Sequence, residues 1–300
     1  MNKPSQTAKM PQPSPAPKRG LWAIGVILLA LVSWAVLGKF APNPKAPKKD
    51  NSGSNQQQKK ETDKVSRTEN KTGLKLVKIP AGSFLMGSNY QPDEQPIRRV
   101  TLSSFHMSKT EITVGQYKRY CEATGEKMPI APDFNKGWSK LDHPIVRVSW
   151  DDAKGYCAWA GVLLPTETEW EYASRGGLEG KKYPLEDAWH GSKCANSVSP
   201  YKPSGTVPVG SYAANGYGLH DMSGNVWEWC TDWYSDKYNP SDTNNPQGSP
   251  TGIMRVLRGG SWFNTNPDLF RCAFRYFNYL LNPDGRSGDG GFRVVFRGLP

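Results

Sequence analysis

The chain has 300 residues, enough for one large domain or two modest ones, and its net charge of +11 is unevenly spread. Residues 1–73 hold 13 Lys and Arg against 4 Asp and Glu, whereas residues 74–300 hold 25 against 23. The nearly neutral charge of the C-terminal part argues against a nucleic-acid-binding surface. Five widely spaced cysteines form no Cys-x-x-Cys pair, which argues against a zinc site.

An apolar segment at residues 20–38 predicts a transmembrane anchor. It contains 19 uncharged residues, which as a helix would span about 28 Å, close to the thickness of a bilayer core. No small-x-small cleavage site follows it, so we favour an uncleaved anchor over a cleaved signal peptide. Residues 1–19 contain no acidic residue and are predicted to form a cytoplasmic tail. The rest of the chain is then exported, to the periplasm or the cell surface.

Residues 39–73 are rich in Pro, Lys, Asn and Gln and have almost no large apolar side chains, so we predict a disordered linker there. The folded domain is predicted to begin at Leu74 and to continue to residue 300. Alternating apolar residues predict a strand over 74–80 with a hairpin partner over 82–87, and a further strand over 99–102.

Three helices are predicted next. Thr113 is the predicted N-cap of a helix that ends at Gly125, and Ser149 is that of a second helix. Thr166 and Glu169 form a capping box that starts a third, short helix. The remaining sequence is rich in Gly, Asn and Pro, with short apolar runs. Helices packed on a small, irregular sheet indicate an α+β domain.

The segment from residue 263 to residue 291 has an unusual composition. It includes six aromatic residues but no Lys, Glu, Gln, Met or Trp, and it follows neither a helical nor a strand period. Codons that end in a pyrimidine cannot encode those five residue types. Randomisation of both adenines in asparagine codons would therefore produce this alphabet. The alternative interpretation is a loop rich in Gly, Asn and Pro that needs no long charged side chains.

Five ordered motifs resemble those of the formylglycine-generating enzyme (sulfatase-modifying factor) family. The resemblance covers about residues 74–297 and implies a C-type-lectin-like, irregular α+β fold. The motifs are Ile79–Gly87, Leu164–Ala173, Asn215–Trp229, Arg258–Trp262 and Gly291–Val294.

The resemblance implies an oxidase whose two cysteines follow the Gly-Gly-Ser-aromatic turn and bind copper. This sequence has no cysteine between Cys230 and Cys272, and Val294 stands where many enzyme members carry a further cysteine. Thiolate is the natural ligand for Cu(I), so no copper is expected. No iron is expected either, because the four histidines share no ligand-type spacing. The oxidase chemistry of the family is therefore not expected here.

The resemblance also implies a structural calcium ion in the Gly-Asn-x-Trp-Glu-Trp turn. Backbone oxygens and one glutamate bind the ion in the family, and hard oxygen ligands from a tight loop suit Ca²⁺. The alternative is a glutamate that only ties the loop to backbone amides. The matching positions are Ser223, Gly224, Val226 and Glu228.

The C-terminal part also resembles the variable region of diversity-generating retroelement target proteins. Those proteins use the same lectin-like scaffold, and their adenine-directed mutagenesis would leave the alphabet described above. Residues that look fixed include Arg271, Ala273, Arg275 and Arg286. The predicted ligand-binding residues lie between and around them: Phe263, Asn264, Thr265, Asn266, Asp268, Phe270, Cys272, Phe274, Tyr276, Phe277, Tyr279, Leu280, Leu281, Gly285, Ser287 and Asp289.

Two functions follow from these observations. The favoured one is a membrane-tethered, exported protein that binds an unknown protein or other surface ligand through a hypervariable site, because surface loops on a rigid scaffold suit variable recognition. Nucleic acid is not an expected partner. The alternative is a divergent enzyme, or an accessory factor, of the formylglycine-generating family.

Overall fold

The computed structural model describes residues 52–198, 202–279 and 286–298, and their side chains except those of residues 52–56, 278 and 279. The predicted cytoplasmic tail, the predicted anchor at 20–38 and the first part of the predicted linker lie outside these ranges. Within the described ranges, no helix is both long and apolar enough to cross a membrane.

The predicted linker is not disordered throughout, because helix α1 occupies Ser52–Thr72. The C-terminal half of α1 is docked on the domain: Thr72 is fully buried, and its carbonyl accepts a hydrogen bond from Arg119 at 3.2 Å. Glu69 accepts a hydrogen bond from the amide of Leu76 at 2.8 Å. The polar composition that suggested disorder fits a solvent-exposed helix that has a few specific contacts.

The remaining helices begin and end where the sequence predicts. They are α2 (Val114–Thr124), α3 (Trp150–Ala160) and α4 (Glu167–Ser174). Each begins with a capping box. The hydroxyl of the N-cap residue accepts a hydrogen bond from the backbone amide three residues later, and the side chain of that later residue accepts one from the N-cap amide. Gly125 ends α2 with a φ of 80°, a left-handed conformation that suits glycine.

In the described ranges, nine strands form three small sheets. A three-stranded sheet has the order β1-β4-β9, a two-stranded sheet pairs β2 with β3, and a four-stranded sheet has the order β7-β6-β5-β8. The predicted hairpin of β1 and β2 is therefore wrong, because each strand pairs with a later one. The strands are β1 (Leu76–Ile79), β2 (Gly82–Met86), β3 (Arg98–Leu102), β4 (Phe105–Ser108), β5 (Trp227–Trp233), β6 (Met254–Arg258), β7 (Tyr276–Tyr279), β8 (Gly290–Gly291) and β9 (Val295–Phe296).

Two hydrophobic cores lie on either side of the four-stranded sheet. One contains α2, α3 and Phe292, and the other contains α4 with strands β2 to β4. Neighbouring residues of β6 alternate between them, since Leu257 belongs to the first core and Val256 to the second. The sheet thus carries the C-terminal segment on its edge strand, β7. The observed architecture is the predicted α+β fold.

Candidate ligand-binding site

The C-terminal segment leaves β6 through a turn that only glycine can form. Gly259 and Gly260 have φ angles of 100° and 78°. A Cβ atom on Gly260 would lie 2.6 Å from Cδ1 of Phe270, so any side chain there would clash with the ring. The paired glycines therefore fix the direction in which residues 261–270 run across the domain.

Buried ion pairs hold the segment onto the domain at the positions that look fixed in the sequence. Arg271 pairs with Glu94 at 2.7 Å, and Arg275 pairs with Glu167 at 2.6 Å. Both guanidinium groups are almost completely buried. Removal of one partner from such a pair leaves an uncompensated buried charge, which costs about 3–5 kcal/mol.

The side chain of Arg258, at the end of β6, binds backbone carbonyls of the same segment. It pairs with Glu171 at 2.6 Å and donates to the carbonyls of Cys272, Ala273 and Phe274 at 2.7–2.9 Å. Burial by itself would raise the pKa of Glu171, but the adjacent Arg175 and Arg258 outweigh it and lower that pKa. The carboxylate therefore stays charged, and α4 acts as the support of the segment.

Two aromatic side chains of the segment are well exposed. Phe263 is 64% exposed and Tyr276 is 45% exposed. Tyr276 stacks on Trp227 with ring centroids 4.8 Å apart, so its ring is held in place while one part stays open to solvent. Thr265, Asn266 and Ser287 are exposed as well.

Two predicted ligand-binding residues are instead part of the interior. Phe270 is fully buried and stacks on Trp189 with ring centroids 4.6 Å apart. Cys272 is 1% exposed, its carbonyl accepts from Arg258, and its amide donates to the carbonyl of Lys182. Neither side chain can contact a ligand at the surface in this structure, and both serve packing.

The other predicted residues are partly buried or lie outside the described residues. Asn264 is half-buried and accepts from the amide of Ser261 at 2.8 Å, which shapes the turn. Partial burial applies also to Asp268, Phe274, Phe277 and Asp289. The side chain of Tyr279, and residues Leu280, Leu281 and Gly285, lie outside the described part of the chain.

The exposed aromatics are joined by a chain of contacts. Phe263 packs on Trp262, which donates from Nε1 to the carbonyl of Gly288 at 3.4 Å. Asp289 then connects both ends: its carboxylate accepts from Ser261 at 2.8 Å, and its carbonyl accepts from the amide of Trp227, on which Tyr276 stacks. The beginning and the end of the segment therefore meet around Asp289. We call this surface, from Phe263 through Trp262 and Asp289 to Tyr276, the segment face.

At the predicted calcium site, the one carboxylate is already engaged by other groups of the protein. Glu228 is fully buried, and its two oxygens accept from Arg293 at 2.6 and 2.8 Å and from Trp170 at 2.6 Å. Its charge is therefore already compensated. Val226 is buried, the hydroxyl of Ser223 donates to the carbonyl of Phe270, and the amide of Gly224 donates to Gly259. Within the described ranges, no group of three or more His, Cys, Asp or Glu is arranged to hold a metal. Calcium binding stays a prediction that these contacts do not favour.

All five cysteines are buried, unpaired thiols. Burial raises the pKa of Cys121 to about 11 and those of Cys157 and Cys194 to about 12, and it also raises the pKa values of Cys230 and Cys272. A thiol must ionise to act as a nucleophile or a copper ligand. None of these five is therefore suited to thiolate chemistry in this conformation.

The sequence did not reveal the partners of the anchoring arginines. Glu167 and Glu171 are four residues apart on α4 and both are buried, which is unusual for charged residues. Glu94, which pairs with Arg271, lies in a short 3-10 helix between β2 and β3. The repeated Glu in Leu164–Ala173 was the one available signal, since acidic residues that are buried in a helix require a cationic partner.

The fold and the site define a lectin-like α+β scaffold that presents an irregular C-terminal segment. The chain belongs to the family of the sulfatase-modifying factor enzyme 1-like domain, whose family model matches residues 61–297. The expected family resemblance is thereby confirmed.

The chain is also similar to individual relatives and to a solved structure. It is 35% identical over 279 residues to the formylglycine-generating enzyme of Streptomyces coelicolor, covering 73% of this chain and 88% of that protein. It is 40% identical over 246 residues to the serine/threonine-protein kinase pkn1 of Chlamydia caviae, covering 73% of this chain but only 37% of that relative's length. The structure of Treponema denticola variable protein 1 superposes with a TM-score of 0.62 at 25% identity, over 74% of this chain and 94% of that one.

Proposed function

We propose that this protein is a ligand-binding protein whose segment face is diversified by a retroelement. Support comes from the different exposure of the fixed and the variable residues within residues 263–291. The arginines that look fixed, Arg271 and Arg275, are buried in ion pairs, whereas Phe263, which precedes both, and Tyr276, which directly follows Arg275, are exposed. Exchange of the exposed residues can change recognition without loss of the anchors. The structural likeness to a variable protein supports the same function.

The two exposed rings suit recognition of a protein or another surface ligand. Aromatic side chains supply a large contact area at low cost in conformational entropy, as they do in antibody binding sites. Here the rings of Phe263 and Tyr276 rest on Trp262 and Trp227, so they lose little further freedom when a ligand binds.

The gene itself tests this function. DNA next to the gene should encode a reverse transcriptase and contain a near-copy of the 3′ end in which adenines occupy the codons of the exposed residues. The codons of Phe270, Cys272 and the anchoring arginines should match between the two copies, because changes there would unfold the segment. A neighbourhood with neither element, or a near-copy with adenines at the arginine codons, would contradict the proposal.

Export and membrane tethering are the second part of the proposal. They rest on the uncharged segment at 20–38 and on the acid-free residues before it. The full chain should then sediment with membranes, and the chain that lacks residues 1–51 should stay in the soluble fraction. Equal distribution of both proteins would show that the segment is not an anchor.

A further inference from the structure

A groove of about 750 Å³ lies beside the segment face, and most of its lining residues lie outside residues 263–291. One wall is the connection that follows α2, Gly125–Ile130, and the other includes Arg147, Arg286 and Gly288. Gly288 is the residue whose carbonyl accepts from Trp262. The groove and the segment face therefore share a border.

A second contact joins the groove to the segment face. Phe134, in the short 3-10 helix Asp133–Trp138 that follows Ile130, packs edge-to-face on Trp262 with ring centroids 5.3 Å apart. The amide of Arg147 donates to the carbonyl of Ser287 at 3.0 Å, and Arg286 donates to the carbonyl of Arg147 at 3.3 Å. A ligand that covers Phe263 and Ser287 would thus extend into the groove.

Ile130 and Arg147 give the groove its chemistry. Ile130 is 81% exposed, the most exposed of the large hydrophobic side chains in the described ranges, and it lies on the rim of the groove. Arg147 has a φ of 59°, in the left-handed region, which costs a residue with a Cβ atom about 1–3 kcal/mol. Strain of this kind collects at binding and catalytic sites.

Arg147 also carries a positive charge without a carboxylate partner in the described part of the chain. Its one side-chain hydrogen bond there is a long one, 3.5 Å to the carbonyl of Ile130. Arg286, on the same wall, differs because it pairs with Asp152. Glu126 and Asp152 also line the groove. Among the described residues, Arg147 has no carboxylate partner, so the groove offers an exposed aliphatic side chain next to an arginine that is free to pair with a ligand.

We propose that this groove is the constant half of the ligand-binding site and accepts a segment of a protein ligand with a carboxylate next to an apolar side chain. The inference rests on the proposed function, because the segment face supplies the other half. The carboxylate pairs with Arg147, and the apolar side chain covers Ile130. A peptide is favoured over a sugar because the side chain of Ile130 cannot form hydrogen bonds with sugar hydroxyls. An apolar side chain such as Leu or Phe would instead bury apolar surface against it, which is favourable.

Selection of a random 12-residue peptide library, displayed on phage, against the protein without residues 1–51 tests this inference. Enriched peptides should carry Asp or Glu next to an aliphatic or aromatic residue. Arg147→Ala and Ile130→Ser should each weaken their binding at least tenfold. Arg147→Ala keeps the Cβ atom and hence the backbone strain, so thermal melts should show little change. Arg147→Glu should reverse the selection and enrich Lys or Arg.

Matched controls are available among residues that do not line the groove. Arg99→Ala removes an exposed arginine of β3, and Ile97→Ser removes a partly exposed isoleucine just before it. Neither residue lines the groove, so both variants should bind the peptides as the unchanged protein does. If Arg99→Ala weakens binding as much as Arg147→Ala does, the weaker binding comes from the lower net charge of the protein, and the inference is overturned.

Variants of the segment face separate this inference from the proposed function. If Phe263→Ala and Tyr276→Ala weaken binding of the enriched peptides but Arg147→Ala and Ile130→Ser do not, the constant half is refuted and the proposed function stands. If only the groove variants weaken binding, the groove is a separate site and the proposed function loses its support. Enrichment of peptides without acidic residues, or no enrichment at all, refutes the groove as a peptide site.

Discussion

Individual residues of the C-terminal segment divide into anchors and contact residues, and substitutions should separate them. Arg275→Ala leaves the buried Glu167 with only its longer ion pair to Arg258, at 3.4 Å, so we expect a loss of about 3–5 kcal/mol in the free energy of unfolding. Phe292 is fully buried, and Phe292→Ala should cost a similar amount. Phe263→Ala and Tyr276→Ala should change stability by less than about 1 kcal/mol. Denaturant melts of the four variants measure this difference, and unfolding of the domain by Phe263→Ala would place that ring in the core instead.

The exposed rings should matter for binding rather than for folding. Against a cognate ligand, Phe263→Ala or Tyr276→Ala should weaken affinity by about 2 kcal/mol or more at one of the two positions, as aromatic hot-spot residues do. Exposed Leu178, on the connection after α4, supplies a control, because its replacement by Ala should leave affinity unchanged. Equal affinity of all three variants would show that recognition lies elsewhere.

A buried pair of acids, Glu111 and Asp221, should make stability fall as the pH rises. Burial, reinforced by Asp221, raises the pKa of Glu111 well above its usual value, and burial also raises that of Asp221. Glu111 Oε2 and Asp221 Oδ1 are buried and have no other partner, which a single shared proton between them explains. The folded state therefore keeps a proton that the unfolded chain releases above about pH 4.3.

The size of this pH effect can be isolated with one substitution. Because the native state binds more protons above pH 4.3, the free energy of unfolding decreases with pH by up to about 1.4 kcal/mol per unit, until Glu111 ionises in the folded state. Glu111→Gln cannot titrate but can still donate to Asp221, so it should flatten this slope. Urea melts between pH 5 and pH 9 measure it, with Glu122→Gln, an exposed change on α2, as the control. Parallel slopes for Glu111→Gln and the unchanged protein would refute the shared proton.

Among the secondary-structure elements, the helices were predictable and the strand pairings were not. The caps at Thr113, Ser149 and Thr166 depend on residues three positions away, so the sequence contains the whole signal. The pairing of β1 with β4, by contrast, is decided by which core each strand faces. Arg271 and Glu94 are 177 positions apart in the sequence, and a local sequence pattern cannot predict a partner at that separation.

Helix α1 is an element that composition alone misjudged, and its removal should have a measurable cost. Its contacts include the bond from Leu76 to Glu69, the bond from Arg119 to the carbonyl of Thr72 and the packing of Lys71 over the ring of Trp159. A chain that starts at residue 74 should therefore lose about 1–3 kcal/mol relative to one that starts at residue 52, since a hydrogen bond contributes about 1 kcal/mol net. Thermal melts of the two truncated proteins compare them. Identical midpoints would show that α1 is an extension without a structural role.

For the molecule as a whole, the family scaffold is complete, but the stretch that the resemblance links to oxidase chemistry is replaced. Residues 263–269 contain no cysteine, and the five thiols of the chain are buried with raised pKa values. The retained parts, such as the Glu228–Arg293 pair and the buried Arg258, all support the fold. The proposed function agrees with this division, because a family fold can persist while the surface of one segment takes on a different role.

This view predicts that the protein does not oxidise cysteine. Incubated with Cu(I), oxygen and a sulfatase-type cysteine peptide, the protein without residues 1–51 should leave the peptide mass unchanged, because Cys272, which is nearest in sequence to the turn at Gly259 and Gly260, is 1% exposed. A formylglycine-generating enzyme assayed in parallel confirms that the conditions support turnover. The variant Cys272→Ser distinguishes the remaining outcomes. If the unchanged protein converts the peptide and Cys272→Ser does not, the buried thiol becomes accessible in solution, and the enzymatic alternative replaces the binding function. If both convert it equally, the reaction uses none of the chemistry that the family's cysteines provide.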